Sequence, residues 1–187
     1  MILPIYVYGW PLLRKKSEDI TPDYPNLQQL IADMFETMYQ AEGCGLAAPQ
    51  IGLNIRLFVI DGAPFADEND PDDMLRTFKK VVINPKIELS GNETAEEEGC
   101  LSFPKVRETV KRPTKVRITY FDENFQQHSE EYEGTAARII QHEYDHIEGI
   151  FSIDRISSLR RKLIVGKLNS VAKGKMECKY KIKTYKK

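Results

Sequence analysis

The stretch Gln141-His142-Glu143-Tyr144-Asp145-His146 (QHEYDH, 141–146) decides how the chain is read. His142 and His146 are four residues apart, so on an α-helix both imidazoles leave the same face. Glu143 sits beside them, within reach of a water held by the same ion. This is the HExxH pattern of metal-dependent hydrolases. The chain has three His, and two of them are used here. The run 136–140 (AARII) leads into the motif as part of the same helix, with Thr135 as its N-cap and Gly149 as its end. Ile139, Ile140, Ile147 and Ile150 make the segment apolar on more than one side, which predicts a central, buried helix. Buried His and Glu need partners, and a metal supplies one. The competing reading is a surface helix whose two His are solvated among acidic residues.

Two imidazoles leave a catalytic metal site one protein ligand short. In the longer pattern HExxHxxGxxH, Gly149 occupies the Gly position, but Ser152 stands where the third His belongs. Beyond Asp154 the only acid is Glu177, in a Lys-rich tail. The third ligand is therefore sought upstream, where Cys100 in EEEGCLSFP (96–104) is the strongest candidate because a thiolate binds divalent metals well. Cys44 and Cys178 compete for the role, and an ordinary buried thiol is the bland alternative. Cys44 lies in EGCGLAAPQ (42–50), whose small residues allow close backbone approach and whose Gln50 offers an amide donor and a carbonyl acceptor.

Taken together, GCGLAAPQ (43–50), EGCLS (98–102) and QHEYDH (141–146) resemble the three motifs of the polypeptide deformylase family, in the same order and with similar spacing. The similarity runs from LPIYVYGWPLLRKKSEDI near the start to GIFSIDRIS after the helix. The resemblance implies an α+β fold in which antiparallel sheets pack around the HExxH helix, followed by a C-terminal helix. It implies removal of the formyl group from the N-terminal formyl-methionine of newly made polypeptides, with release of formate. It implies one divalent ion on Cys100, His142 and His146: ferrous iron (Fe2+) in the cell, with Zn2+, Ni2+ or Co2+ able to take the same ligands. Glu143 then serves as general base, and Gln50 and the Leu101 N–H serve as donors to the oxyanion. Gly43, Cys44, Gly45 and Gly99 face the substrate peptide. Arg138 and Ile139 line the methionine slot, the Arg138 stem packing there while its guanidinium reaches solvent. Arg107 is a candidate guide for the outer end of the peptide.

Two rival readings remain at this point. An HExxH endopeptidase needs a third His or a downstream acid, and Ser152 and the sparse acids beyond 154 count against it. A non-catalytic chain-binding protein with a structural metal has no use for Glu143 or Gln50, and structural sites take four protein ligands.

The whole chain frames these readings. Its 187 residues predict one metallohydrolase domain over 1–187, and three Cys without framework spacing predict a reducing compartment. No apolar run approaches the length of a membrane span and no secretory signal is visible, so a cytoplasmic location is expected. Nothing points to DNA. The net charge of −1 is divided unevenly. Residues 1–154 hold 15 Lys+Arg against 27 Asp+Glu, whereas 155–187 hold 12 Lys+Arg against one Glu. This basic helix and tail are either a solvated face or an electrostatic contact to the ribosome. Apolar spacing predicts an amphipathic helix over 26–41 and a last helix over 157–172, with Leu159, Leu163 and Leu168 among its apolar positions. Short strands are expected at 56–61 and 81–84, a surface insertion at 62–78, and a hairpin of 116–121 with 125–132.

Overall fold

The computed structural model describes residues 1–185; Lys186 and Lys187, the last two residues of the basic tail, lie outside the described residues. Helix α1 (Leu27–Gln40) forms where the periodicity predicts it, because Leu27, Ile31, Met34 and Met38 fall on one face and are buried. Strand β3 (Leu57–Asp61) is buried along Leu57–Ile60, as its continuous apolar run requires. It is the second strand of a five-stranded antiparallel sheet ordered β2 (Gly45–Ala47), β3, β4 (Lys79–Gly99), β5 (Arg107–Phe121), β6 (Gln127–Glu133). β5 and β6 make the expected hairpin, and the Asp122 carboxylate closes its turn by accepting from the N–H groups of Asn124 and Gln126.

β4 is far longer than the short strand expected at 81–84. It pairs with β3 at its start and with β5 from Ile83 to Gly99. Pro85 and Gly91 look like strand breakers, but the ladder shifts register between Ile83 and Lys86 and again between Ser90 and Glu93. Bulges at those points, with Asn84 at φ 49° and Gly91 at φ 81°, absorb both residues. The 62–78 segment is mostly exposed, yet Leu75 and Phe78 turn inward and join the core beside β3.

Helix α2 (Gly134–Ile147) carries QHEYDH and packs against β2, β3, β5 and β6. Its start differs from expectation. β6 runs directly into the helix, Glu133 occupies the cap position, and Thr135 lies inside the first turn without capping it. Gly134, at φ 60°, makes the corner. The other end is as the sequence implies. Gly149 is at φ 72°, and the N–H of Ile150 returns to the Asp145 carbonyl. A Cβ on Gly149 would also come within 2.5 Å of the Arg14 carbonyl oxygen, so no larger residue fits there.

Helix α3 (Ser158–Ala172) is capped by the Ser157 hydroxyl, which accepts from the Arg160 N–H. It buries Ile164, Leu168 and Val171 against Val7, Phe103 and Phe151, while Leu159 and Leu163 are each 69% exposed. Beyond it the chain turns back, and β7 (Ile182–Lys183) pairs in parallel with β1 (Ile5–Tyr6). No helix among the described residues is long and apolar enough to cross a membrane.

Candidate metal centre and active site

β4 ends at Gly99, and the chain then folds into a tight turn in which the Phe103 N–H returns to the Cys100 carbonyl at 2.9 Å. The turn lifts the Cys100 thiol out of the sheet towards α2. There, His142 and His146 lie one helical turn apart with ring centroids 5.1 Å from each other. One ligand atom from each of Cys100, His142 and His146 lies within 4.8 Å of the others, and Cys100 Sγ is 3.2 Å from His146 Nε2. Cys44 is not part of this group. Burial above all, and then the Glu143 charge, pushes its thiol up to about 12, so it stays protonated and is a poor ligand. Cys178 lies in the tail.

A second layer of charge holds the imidazoles. His142 Nδ1 donates to Glu98 Oε2 at 2.9 Å, which fixes the orientation of the ring and leaves Nε2 on the side away from Glu98. Glu98 also accepts from Arg112 (2.6 and 3.0 Å) and from Arg138 (2.8 Å). Arg112 is fully buried and reaches on to Asp145 at 2.8 Å, which Arg155 holds in turn. Burial disfavours a charge on Glu98, but His142 and Arg112 outweigh it and keep the carboxyl well below its usual range. Burial likewise disfavours charge on His142, and hydrogen bonds with Cys100 and Glu98 overcome it, raising the imidazole's pKa. His146 is pushed down by burial first and then by the positive charges of His142 and Arg112, which leaves it neutral.

Glu143 is buried beside these groups. Burial pushes its carboxyl up to about 7, although His142 and Arg112 pull the other way. Its Oε2, like His146 Nδ1, finds no hydrogen-bond partner among the described residues. Such atoms are costly when isolated. A dication beside one thiol and two imidazoles gives Glu143 a neighbour of opposite charge, and that donor set suits a transition metal. The residues present therefore fit the metal that the motif implies.

Gln50 is held firmly. Its Oε1 accepts from the Ala47 N–H at 2.9 Å, so its Nε2 points to Ser102 Oγ (3.1 Å) and Cys100 Sγ (3.6 Å). Gly43 and Gly45 are required by space. A Cβ at Gly43 would come within 2.8 Å of Leu101 Cδ1, and one at Gly45 would overlap Glu143 Oε1. A cavity of about 550 Å³ opens onto the site. It is lined by Gly43, Cys44, Gly45, Gln50, Gly99, Cys100, Leu101, Arg138, Ile139, His142 and Glu143, with His146 buried behind them. β2 is an edge strand of the sheet, although the Cys44 carbonyl already accepts from the Asp61 N–H. Arg107 stands at the rim, paired with Glu97.

One sequence expectation fails here. The Arg138 guanidinium does not reach solvent. It is buried on β4 and β5, donating to Glu98, to the Val110 carbonyl, and to the Thr94 carbonyl and hydroxyl. Glu96, at 3.2 Å from Nε, pairs with it on the same strand as Glu98. Glu98, Arg112, Asp145, Ser102 and Tyr180 were not foreseen as parts of the site. For Glu98, its place immediately before Gly99-Cys100 was the available signal.

A family model described as polypeptide deformylase matches residues 2–162. Peptide deformylases of Christiangramia forsetii and Flavobacterium johnsoniae are similar to the chain at 54% and 53% identity over 188 residues, each alignment covering 98% of this chain and 96% of the relative. Among solved structures, a peptide deformylase from Legionella pneumophila gives a TM-score of 0.80 at 37% identity, covering 94% of this chain and 98% of that one. The Thermotoga maritima peptide deformylase gives 0.73 at 40% identity, covering 84% and 99%.

Proposed function

The chain belongs to the polypeptide deformylase family, metal-dependent hydrolases that remove the N-terminal formyl group from nascent polypeptides, and from that premise we propose how its residues divide the work. The observation that carries the proposal is the convergence of Cys100, His142 and His146 beside a buried Glu143 oxygen that has no hydrogen-bond partner among the described residues. Cys100, His142 and His146 hold one divalent ion. When bound, that ion acts as a Lewis acid and brings a water's pKa towards neutrality. Glu143, whose carboxyl burial pushes up to about 7, takes a proton from the attacking water and returns it to the leaving amine nitrogen. Gln50 Nε2 and the Leu101 N–H donate to the formyl oxygen as negative charge develops there. Gln50 is pre-oriented for this by its bond to Ala47.

Gly43, Cys44 and Gly45 at the β2 edge, with Gly99 at the end of β4, receive the substrate backbone in extended form. Ile139 and the Arg138 stem wall the methionine slot. The preferred ion in the cell is Fe2+, with Zn2+, Ni2+ or Co2+ able to occupy the same donors. We read residues 1–187 as one metallohydrolase domain arranged around α2, with the basic helix and tail 155–187 attached; the burial of α2 between strands supports this. Action on N-formyl-methionyl nascent chains supports a cytoplasmic location, and the positive charge of 155–187 supports a ribosome contact through the basic section.

The test is formate release from formyl-Met-Ala-Ser by the metal-loaded protein, compared with acetyl-Met-Ala-Ser. The crowding around Gly43 and Gly45 should exclude the extra methyl group, so the formyl peptide is cleaved and the acetyl peptide is cleaved far more slowly. Equal rates on both, or cleavage of internal peptide bonds, would reject the assignment.

A further inference from the structure

The tail beyond α3 returns to the active-site cavity and places a side chain on the turn that carries Cys100. Gly174, at φ 66°, reverses the chain after α3. The carbonyls of Lys181 and Lys183 then accept from the N–H groups of Ile5 (2.9 Å) and Val7 (3.2 Å), and Trp10 Nε1 also donates to Lys183 at 2.8 Å. Tyr180 precedes this anchored pair. Its ring packs against the core next to Leu101, the residue lines the cavity, and its hydroxyl donates to the Leu101 carbonyl at 2.7 Å. Burial above all raises the pKa of this hydroxyl, so it keeps the proton it donates.

Leu101 and Ser102 are the central residues of the turn closed by Phe103 N–H and Cys100 carbonyl. The peptide unit between them is the one whose flip separates the common turn types. Its carbonyl is the oxygen that Tyr180 holds. The next groups are held from elsewhere: the Ser102 carbonyl accepts from the Tyr8 N–H, and the Ser102 hydroxyl donates to the Tyr6 carbonyl. Among the described residues Tyr180 is the sole side-chain donor to Leu101 O. The adjoining peptide unit carries the Leu101 N–H, and the two units share the Leu101 Cα, so fixing one restrains the other.

We propose that Tyr180 is a positioning residue: by holding the Leu101 carbonyl it sets the turn so that the Leu101 N–H is aimed at the formyl oxygen. The proposal rests on the reading of Leu101 as an oxyanion donor. It assigns the segment after α3, which lies beyond the residues the family model matches, a direct part in the geometry of the site.

The experiment compares the full-length metal-loaded protein with Tyr180→Phe, which keeps the ring and removes the hydroxyl. One hydrogen bond of ordinary strength that matters only in the transition state predicts a loss in kcat of about three- to tenfold. KM should stay within about twofold, because ground-state binding does not use this donor. Metal content should be unchanged, Tm should fall by no more than about a few degrees, and amide hydrogen exchange across residues 100–103 should be faster. Wild-type kcat would overturn the proposal, with or without faster exchange, while leaving the Glu143 and metal assignments intact. A variant with lower Tm, raised KM and lost metal would overturn it too, since the tyrosine would then be structural support alone. Absence of formate release by the wild-type protein would instead reject the catalytic reading itself.

Discussion

Glu143 is confined by its neighbours so closely that one methyl group tests its role. A Cβ at Gly45 would overlap Oε1 and lie 2.6 Å from Cδ, and its three nearest atoms all belong to Glu143, so Gly45→Ala must displace the carboxylate first. We expect normal metal content with kcat reduced at least 10²-fold, the range of a misplaced general base. Glu143→Gln keeps the shape, removes the base, and should lose as much or more with metal retained; near-normal turnover in that variant would refute the role. Cys100→Ser should lose most of its metal by elemental analysis, whereas Cys44→Ser should keep it, because the Cys44 thiol is held protonated. The two imidazoles were legible in the sequence because i and i+4 share a helix face. Choosing between the cysteines was not a local matter. That choice depends on the turn after β4, which brings Cys100 to α2 from 42 residues away along the chain. The polar layer under His142 was also hidden, since Arg112 reads as one more basic residue in an alternating strand.

At the scale of elements, β4, β5 and α2 are joined by buried charge rather than by apolar contact alone. Arg112 on β5 bridges Glu98 on β4 to Asp145 on α2, and all three are buried. Arg112→Met leaves Glu98 to His142 and Arg138 and leaves Asp145 to Arg155, so unfolding in denaturant should show a loss below the about 3–5 kcal/mol of a wholly unpaired buried charge, on the order of 1–3 kcal/mol. No measurable change would mean that the remaining partners alone satisfy both carboxylates. The end of α2 gives a pH-dependent case. Burial tends to raise the Glu148 pKa, but bonds from Arg56 and Lys16 outweigh it and hold the carboxyl below its ordinary value of 4.5. A lowered folded-state pKa contributes stability above pH 4.5 that is lost as pH falls through the folded value. Glu148→Gln should therefore flatten the acid limb of the stability curve below that point, and an unchanged limb would reject the pairing. The helices and the β5–β6 hairpin were readable from periodicity. The length of β4 was not, because Pro85 and Gly91 punctuate the sequence without ending the ladder.

For the whole molecule, the division of charge between body and tail has to be reconciled with where the tail goes. The sequence shows a run of positive charge after residue 154 and cannot show that part of it pairs with β1 and reaches Leu101. Removing everything after Ala172 would discard β7 and Tyr180 along with seven lysines, and is expected to lower peptide turnover as well as any ribosome contact. Charge has to be removed without the strand. Lys173, Lys175 and Lys181 are exposed, and no ion pair holds their ammonium groups among the described residues. Replacing the three by Gln should leave kcat and KM for a free formyl peptide as in the wild type. If the basic section meets ribosomal RNA, wild-type co-sedimentation with ribosomes should fall steeply between 50 and 200 mM salt, on the order of a tenfold loss or more, and the triple variant should bind more weakly with a shallower salt slope. Binding that is insensitive to salt and to the three substitutions would place the contact, if one exists, on a different surface. Absence of binding at low salt would leave the basic section with the structural task that β7 and Tyr180 already define.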